Sequence, residues 1–238
     1  MDELLDTNDI NAVLFDLDGT LLDTADDFIH VLNAMLAEDN RPPLPSPIIR
    51  ANVSNGSRAM VTLAYGLTES APDFTAYRNR FLERYALHIE DLQRASTPSL
   101  YTGIPELLTA IEAHNLPWGI VTNKPRHLAE PLLEQLQLGR RSSALVCPDD
   151  VRRSKPDPES LWLACEQLDC EASRCIYIGD HKRDIDAGRS AGMTTIAALY
   201  GFIPDTDDPL DWAADYNAEQ PDHILEWLDD ICWQLPAQ

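Results

Sequence analysis

The stretch AVLFDLDGTLLDT, residues 12–24, decides how this chain is read. Its first four residues are apolar and contain no turn former, which fits a short strand buried on both faces. The run stops on Asp16 and Asp18. Residues two apart in an extended segment face the same way, so both carboxylates point into one space at the end of the strand. Two like charges that close together need a cation, and hard oxygen donors suit magnesium.

Four further apolar runs bounded by turn residues stand downstream: PWGIVT (117–122), SALVC (143–147), CIYIGD (175–180) and TTIAAL (194–199). Helical patterns fall between and beside them, over Ile104–Ala113, Leu128–Leu136, Ser160–Leu168 and Asp184–Ala191. Strand and helix alternate, which predicts an α/β fold with a doubly wound parallel sheet and helices on both faces. The interval from Asp23 to Thr97 breaks the rhythm. It shows no convincing strand, only helical stripes such as Phe28, Val31, Leu32, Met35, Leu36 and then Phe74, Tyr77, Phe81, Tyr85. Residues 23–97 are therefore expected to form a helical domain inserted into a core of 1–22 and 98–238. Thr24 is expected to N-cap the first helix, Pro42 to Pro47 to mark the turn after it, and a further helix to start near Ala59. The tail is expected to end in a helix over Ile224–Trp233 that docks on the core.

Forty acidic against eighteen basic residues give a formal charge of -22. That charge repels nucleic acid and anionic lipid. Neither is expected as a partner, and no apolar stretch approaches the roughly 18 residues of a membrane helix. The acidic N-terminus lacks the basic start of a signal peptide. An odd count of cysteines without a CxxC pair fits reduced thiols, so a cytoplasmic protein is expected, as a monomer or weak homodimer. Cys165, Cys170 and Cys175 recur at a constant interval, but no histidine lies nearby in sequence to complete a zinc spacing, and buried cysteine commonly serves as a small core residue. The only lysines are Lys124, Lys155 and Lys182, each directly after a strand-end or loop segment of interest. They are read as local positive charge for an anionic substrate; chance placement on solvated loops is the alternative.

Open α/β sheets bind ligands at the carboxyl ends of their strands. There the sequence places Asp16-Leu17-Asp18-Gly19-Thr20, then Thr122-Asn123-Lys124, then Gly179-Asp180 with Asp184 one helical turn on. Each has an ordinary reading: Asp18-Gly19 as a turn, Thr122 and Asp180 as helix caps, Lys155 as a loop lysine. Their order at successive strand ends favours a common site.

DLDGT, the Thr122 segment, Lys155 in KPDPES, and GDHKRD together resemble the four motifs of the haloacid-dehalogenase superfamily, covering the chain from Val13 to Asp184. The resemblance implies a phosphatase in which Asp16 is the nucleophile and Asp18 the general acid and base. Thr122 and Lys155 would hold phosphoryl oxygens, and magnesium would sit on the Asp16 side chain, the Asp18 backbone carbonyl and Asp180, with Asp184 in support. A carboxylate nucleophile splits one hard displacement into two easier ones.

The inserted helices are similar to the small cap of the phosphoglycolate phosphatase branch. Asp18 speaks against carbon-attacking dehalogenases. The absence of lysine between Asp23 and Thr97 speaks against phosphonatases, and Phe28 stands where β-phosphoglucomutase relatives carry a cap-hinge histidine. Val53-Ser54-Asn55-Gly56-Ser57-Arg58 is similar to the family's specificity loop. Asn55, Arg58, Thr20, Asn123 and Lys124 are thus candidate substrate contacts, and His181 a neighbour of the fourth motif. The chain as a whole is similar to the N-acetylmuramic acid 6-phosphate phosphatases of that branch, so a small phosphorylated metabolite is the expected partner. Phosphoglycolate hydrolysis, or a non-catalytic phosphate-binding role, are the alternatives.

Overall fold

The computed structural model describes residues 10–91, 93, 98–231 and 233. In chain order, β1 (Ala12–Phe15) and β2 (Leu22–Asp23) precede the helices α1 (Ala25–Glu38), α2 (Ser46–Arg50), α3 (Gly56–Tyr65) and α4 (Phe74–Glu90). Then come β3 (Ser99–Leu100), α5 (Ile104–Ala113), β4 (Trp118–Val121), α6 (Arg126–Gln135) and β5 (Ala144–Val146). The last part holds α7 (Glu159–Leu168), β6 (Cys175–Gly179), α8 (Lys182–Ala191), β7 (Thr194–Ala198), β8 (Tyr216–Ala218) and α9 (Pro221–Ile231). The main sheet has the order β5-β4-β1-β6-β7-β8. Every pairing in it is parallel.

All four residues of β1 are buried, because the strand is covered on both faces. Val13 and Phe15 join Trp118, Ile120, Ile176 and Ile178 in one apolar cluster. Ala12 and Leu14 point the other way, to Tyr177 and to Leu161 and Ala164 of α7. This period-two division is why the strand reads as an unbroken apolar run. The strand order reverses at β1, which puts its carboxyl end at the topological switch point where α/β sheets bind ligands.

The helices between β2 and β3 bury the predicted stripes of α1 and most of that of α4, while Tyr77 is half-buried and packs its ring, tilted by 38°, on Tyr65 at 4.2 Å. A two-residue antiparallel ribbon, β2 with β3, closes this segment. It escaped prediction because two residues carry no period. Three local expectations are corrected. Thr24 stands at the N-cap of α1 but makes no capping bond, its hydroxyl being given to Asp18. Pro47 lies in the first turn of α2, where a missing N–H costs nothing. Helix α3 begins at Gly56, so Ser57 and Arg58 belong to its first turn.

At the other end, β8 was not anticipated from the polar triplet YNA; it pairs with β7 and follows directly from the loop after it. Helix α9 starts earlier than its stripe suggested and packs against α5, with Ile224 and Leu228 fully buried. Cys232, Thr97 and most of the final residues lie outside the described residues. Among the described residues no helix is long and apolar enough to cross a membrane. Because Leu14 is fully buried at the centre of the sheet, Leu14→Ala is expected to lower unfolding stability by about 2 to 5 kcal/mol. The midpoint of a urea titration measures this, and an unchanged midpoint would contradict the packing described.

Candidate active site

Asp16 is the first residue beyond β1, and its N–H donates to the carbonyl of Ile178 on β6 at 2.8 Å, continuing the ladder. The chain then turns back, with the Leu17 carbonyl accepting from the N–H groups of Leu21 (3.0 Å) and Leu22 (2.9 Å). Gly19 sits at φ +85° against the Asp180 side chain. A Cβ there would overlap that carboxylate, so the turn requires glycine.

Lys155 reaches the same point from the loop after β5. Its ammonium lies 2.9 Å from Asp16 Oδ1 and 2.7 Å from Asp184 Oδ1, and it donates to the Val121 carbonyl (2.8 Å) and the Tyr177 hydroxyl (2.6 Å). Burial alone would favour its neutral form, but the two carboxylates more than offset this and hold it charged. Asn123 fixes the loop by donating to the Lys155 carbonyl at 3.0 Å. Thr122, buried at the end of β4, accepts from the Lys124 N–H at 3.1 Å.

Asp180 directly follows β6 and Asp184 lies in the first turn of α8, so strand and helix together bring their oxygens within 4.8 Å of one from Asp16. Asp180 Oδ2 accepts from the Phe202 N–H (2.8 Å) and the Ser54 hydroxyl (2.6 Å). Asp180 Oδ1 and Asp184 Oδ2 are buried with no hydrogen-bond partner among the described residues. Burial, then the neighbouring carboxylates, push Asp180 well above the carboxylate range. Asp16 is raised to about 6, chiefly by burial, with Lys155 pulling it down and Asp184 up. Three carboxylates against one ammonium leave negative charge with unpaired oxygens, and this donor set fits a hard divalent cation.

Asp18 is held from the other side. The Lys124 ammonium lies 2.9 and 3.1 Å from its two oxygens, and the Thr24 hydroxyl donates to it at 2.7 Å. Lys124 is itself buried, donates to the Tyr85 hydroxyl of α4 at 3.1 Å and lies 4.5 Å from the centre of that ring. It therefore links the sheet to the inserted helices as well as facing the cavity.

A cavity of about 430 Å³ opens over Asp16, Asp18, Thr122 and Lys155, and the inserted helices form its other wall. Asn55, Asn123, Lys124 and Arg58 line it as well. Thr20 does not: it is fully buried, and its carbonyl accepts from the Tyr200 hydroxyl at 3.1 Å. Arg58 stands at the exposed rim, paired with Glu69 at 3.0 Å. Lys182 turns out of the site and pairs with Asp186 at 2.7 Å, so the idea that all three lysines serve the site holds by position for Lys124 and Lys155 alone.

Two arginines that were not singled out line the cavity. Arg78 donates to the Ser57 hydroxyl at 3.1 Å. Its spacing of three, four and seven residues from Phe81, Leu82 and Tyr85, which also line the cavity, was the available signal. Arg183 donates to the carbonyl of Ser54. Beside it, His181 Nδ1 accepts from the Arg183 N–H, so in the neutral ring Nε2 carries the proton and donates it to Asn55 Oδ1 at 2.9 Å. Burial and then Arg183 depress His181 to about 4, keeping it neutral. The fourth motif thus grips the loop at residues 53–56 through His181 and Arg183.

Residues 13–198 match the family model of haloacid dehalogenase-like hydrolases. The chain is 50% identical to an N-acetylmuramic acid 6-phosphate phosphatase of Pseudomonas aeruginosa, over 92% of its own length and 95% of the relative. It is 41% identical to a phosphoglycolate phosphatase of Xanthomonas campestris, over 94% and 98% of the two chains. Among solved structures, a predicted phosphoglycolate phosphatase from Haemophilus somnus superposes with a TM-score of 0.78 at 23% identity, covering 92% and 98%, which shows the shared fold. With four motifs gathered at the switch point of a parallel sheet, the chain belongs to the haloacid dehalogenase-like hydrolase family.

Proposed function

We propose that this chain is a magnesium-dependent phosphomonoester hydrolase that works through an aspartyl-phosphate on Asp16 and takes N-acetylmuramic acid 6-phosphate as its substrate. The observation that carries the reading is the juxtaposition of the Lys155-bound Asp16 with the Lys124- and Thr24-bound Asp18 on the floor of one cavity. The substrate is a cytoplasmic metabolite, and residues 23–97 act as a cap over a core formed by 1–22 and 98–238.

Asp16, the Asp18 carbonyl and Asp180 would hold the magnesium ion, with Asp184 supporting the site through Lys155. Bound there, the ion supplies positive charge that offsets the charge on the transferring phosphoryl group. Asp16 attacks phosphorus as the bond to the ester oxygen breaks, and the Asp18 carboxyl gives its proton to that leaving oxygen. Asp18, now a carboxylate, takes a proton from a water that attacks phosphorus, and the bond to Asp16 breaks. Thr122 and Lys155 hold the phosphoryl oxygens throughout.

The size of the cavity favours the sugar phosphate, since a volume of about 430 Å³ leaves most of the space empty around a two-carbon phospho-acid. Asn55, Arg58 and Arg78 stand on the cap side, where they can meet the carboxylate of the sugar. Both substrates share a phosphate and a carboxylate; only the larger one fills the distance between Asp16 and the cap, where remote contacts can lower the barrier. Phosphoglycolate stays as the second reading because the Xanthomonas relative carries that name.

Two outcomes test this reading. The efficiency kcat/KM is expected to be higher on N-acetylmuramic acid 6-phosphate than on phosphoglycolate. Arg78→Ala is expected to reduce it by about 1.5 to 3 kcal/mol, as for a charge-assisted hydrogen bond, with Arg58→Ala costing less and an aryl phosphate scarcely affected. Higher efficiency on phosphoglycolate would overturn the substrate assignment, and equal loss on the aryl phosphate would give Arg78 a structural role.

The metal makes a separate prediction through pH. Asp16 and Asp180 have raised values in the folded protein, so burying their charge costs stability above the ordinary carboxylate range, and for Asp16 that cost is complete above about 6. Magnesium favours the ionised forms and removes the cost. The rise in Tm on adding magnesium to chelator-treated protein should therefore be larger at about pH 7.5 than at about pH 5. An increment that is equal at the two values, or larger in acid, would contradict this placement of the metal.

A further inference from the structure

Cys165, Cys170 and Cys175 lie far from the site just described. Cys175 is the first residue of β6, whereas Asp180 follows its last, so the length of one strand, roughly 15 Å, separates them. The chain gathers the three sulphurs by a local device. Helix α7 carries Cys165 in its last turn, and Asp169 ends the helix in the left-handed conformation at φ 51°. The chain then doubles back, so that the Cys170 N–H donates to the Cys165 carbonyl at 3.1 Å. A short 3-10 turn, Ala172–Arg174, delivers Cys175 to the same point. The sulphurs of Cys170 and Cys175 stand 3.3 Å apart, those of Cys165 and Cys175 stand 3.8 Å apart, and all three lie within 4.8 Å of one another.

We propose that these three cysteines form a second metal centre, a three-thiolate site for a soft, thiophilic ion. Thiolates sharing one ion at metal–sulphur bonds of about 2.3 Å stand roughly 3.7 to 4.0 Å apart; the Cys165–Cys175 separation of 3.8 Å matches this, and the Cys170–Cys175 pair at 3.3 Å would have to open by a few tenths of an ångström to admit the ion. Cys170 Sγ donates to the Cys165 carbonyl at 3.7 Å and Cys175 Sγ to the Glu171 carbonyl at 3.2 Å, contacts that orient two thiols singly but do not require three sulphurs to converge on one point. A disulfide would use two of them and leave the third unexplained. Among the described residues no histidine or carboxylate completes the group, and an all-sulphur donor set selects ions such as cadmium, zinc or copper(I) over magnesium. Cys165 and Cys175 are buried while Cys170 is partly exposed, so an ion can enter from one side. Each ligating thiol loses its proton to solvent as the bond to the metal forms. This centre is independent of the phosphatase reading.

Cadmium titration of the reduced full-length protein, without free thiol reductant, in the absence of oxygen and with saturating magnesium on the carboxylates, tests the proposal. A thiolate-to-metal charge-transfer band in the ultraviolet should reach its plateau at one ion per chain. In Cys170→Ser, and separately in Cys165→Ser, the band should shrink and cadmium affinity should fall by at least about tenfold, while Cys147→Ser leaves both unchanged. A fully reduced protein that gives no band at one equivalent, or a band that survives undiminished in Cys165→Ser or in Cys170→Ser, would overturn it. A mass two hydrogens lighter before reduction, from a Cys170–Cys175 disulfide, combined with no cadmium uptake after reduction, would overturn it in favour of a redox pair.

Discussion

Three buried carboxylates facing one buried ammonium set the terms for the rest of the molecule. Asp16, Asp180 and Asp184 converge around Lys155, and among the described residues Asp180 Oδ1 and Asp184 Oδ2 have neither a hydrogen-bond nor an ion-pair partner. A cluster of this kind costs stability unless a cation or protons neutralise it. The fold holds it together by approaching closely with backbone. Gly19 and Gly201 press against Asp180, and Gly179 against Asp184, each at a distance where a Cβ would collide. Burial of β1, β4 and β6 along their whole lengths offsets the cost of this charged assembly.

The inserted helices are tied to that cluster by polar contacts. Lys124 joins Asp18 to Tyr85, Ser54 donates to Asp180, and His181 and Arg183 hold the loop at Asn55 and Ser54. Each pairs a residue of a chemical motif with one that borders the substrate space, so the position of the inserted helices and the geometry of the carboxylates are coupled. In a chain of net charge -22, these local cations let an anionic ester approach.

Much of this was legible in the sequence, because strands buried on both faces read as apolar runs and their ends carry the chemistry. The runs ending at Asp16, Thr122 and Asp180 correspond to β1, β4 and β6, and the stripe from Phe28 to Leu36 is the buried face of α1. What stayed hidden was either too short or tertiary. The β2–β3 ribbon and β8 are two or three residues long and carry no period. Thr24 has the composition of a cap, yet a partner six residues earlier takes its hydroxyl. Arg78 lay unnoticed within a stripe that was read for its aromatics, and Lys182 belongs to a motif but faces outward because the first turn of α8 points it there.

The central claim is that Asp16 carries the phosphoryl group while Asp18 moves protons, and trapping the intermediate tests it most directly. Asp18→Asn keeps the backbone carbonyl and the side-chain volume but loses the base that activates water, so the covalent species should accumulate. Intact-mass analysis of this variant, quenched in acid after mixing with magnesium and a reactive aryl phosphate, should show one added phosphoryl group. Peptide mapping should place it on Asp16, and the double variant Asp16→Asn, Asp18→Asn should show none. A phosphoryl group found on any other residue, or retained when Asp16 is replaced, would contradict the account.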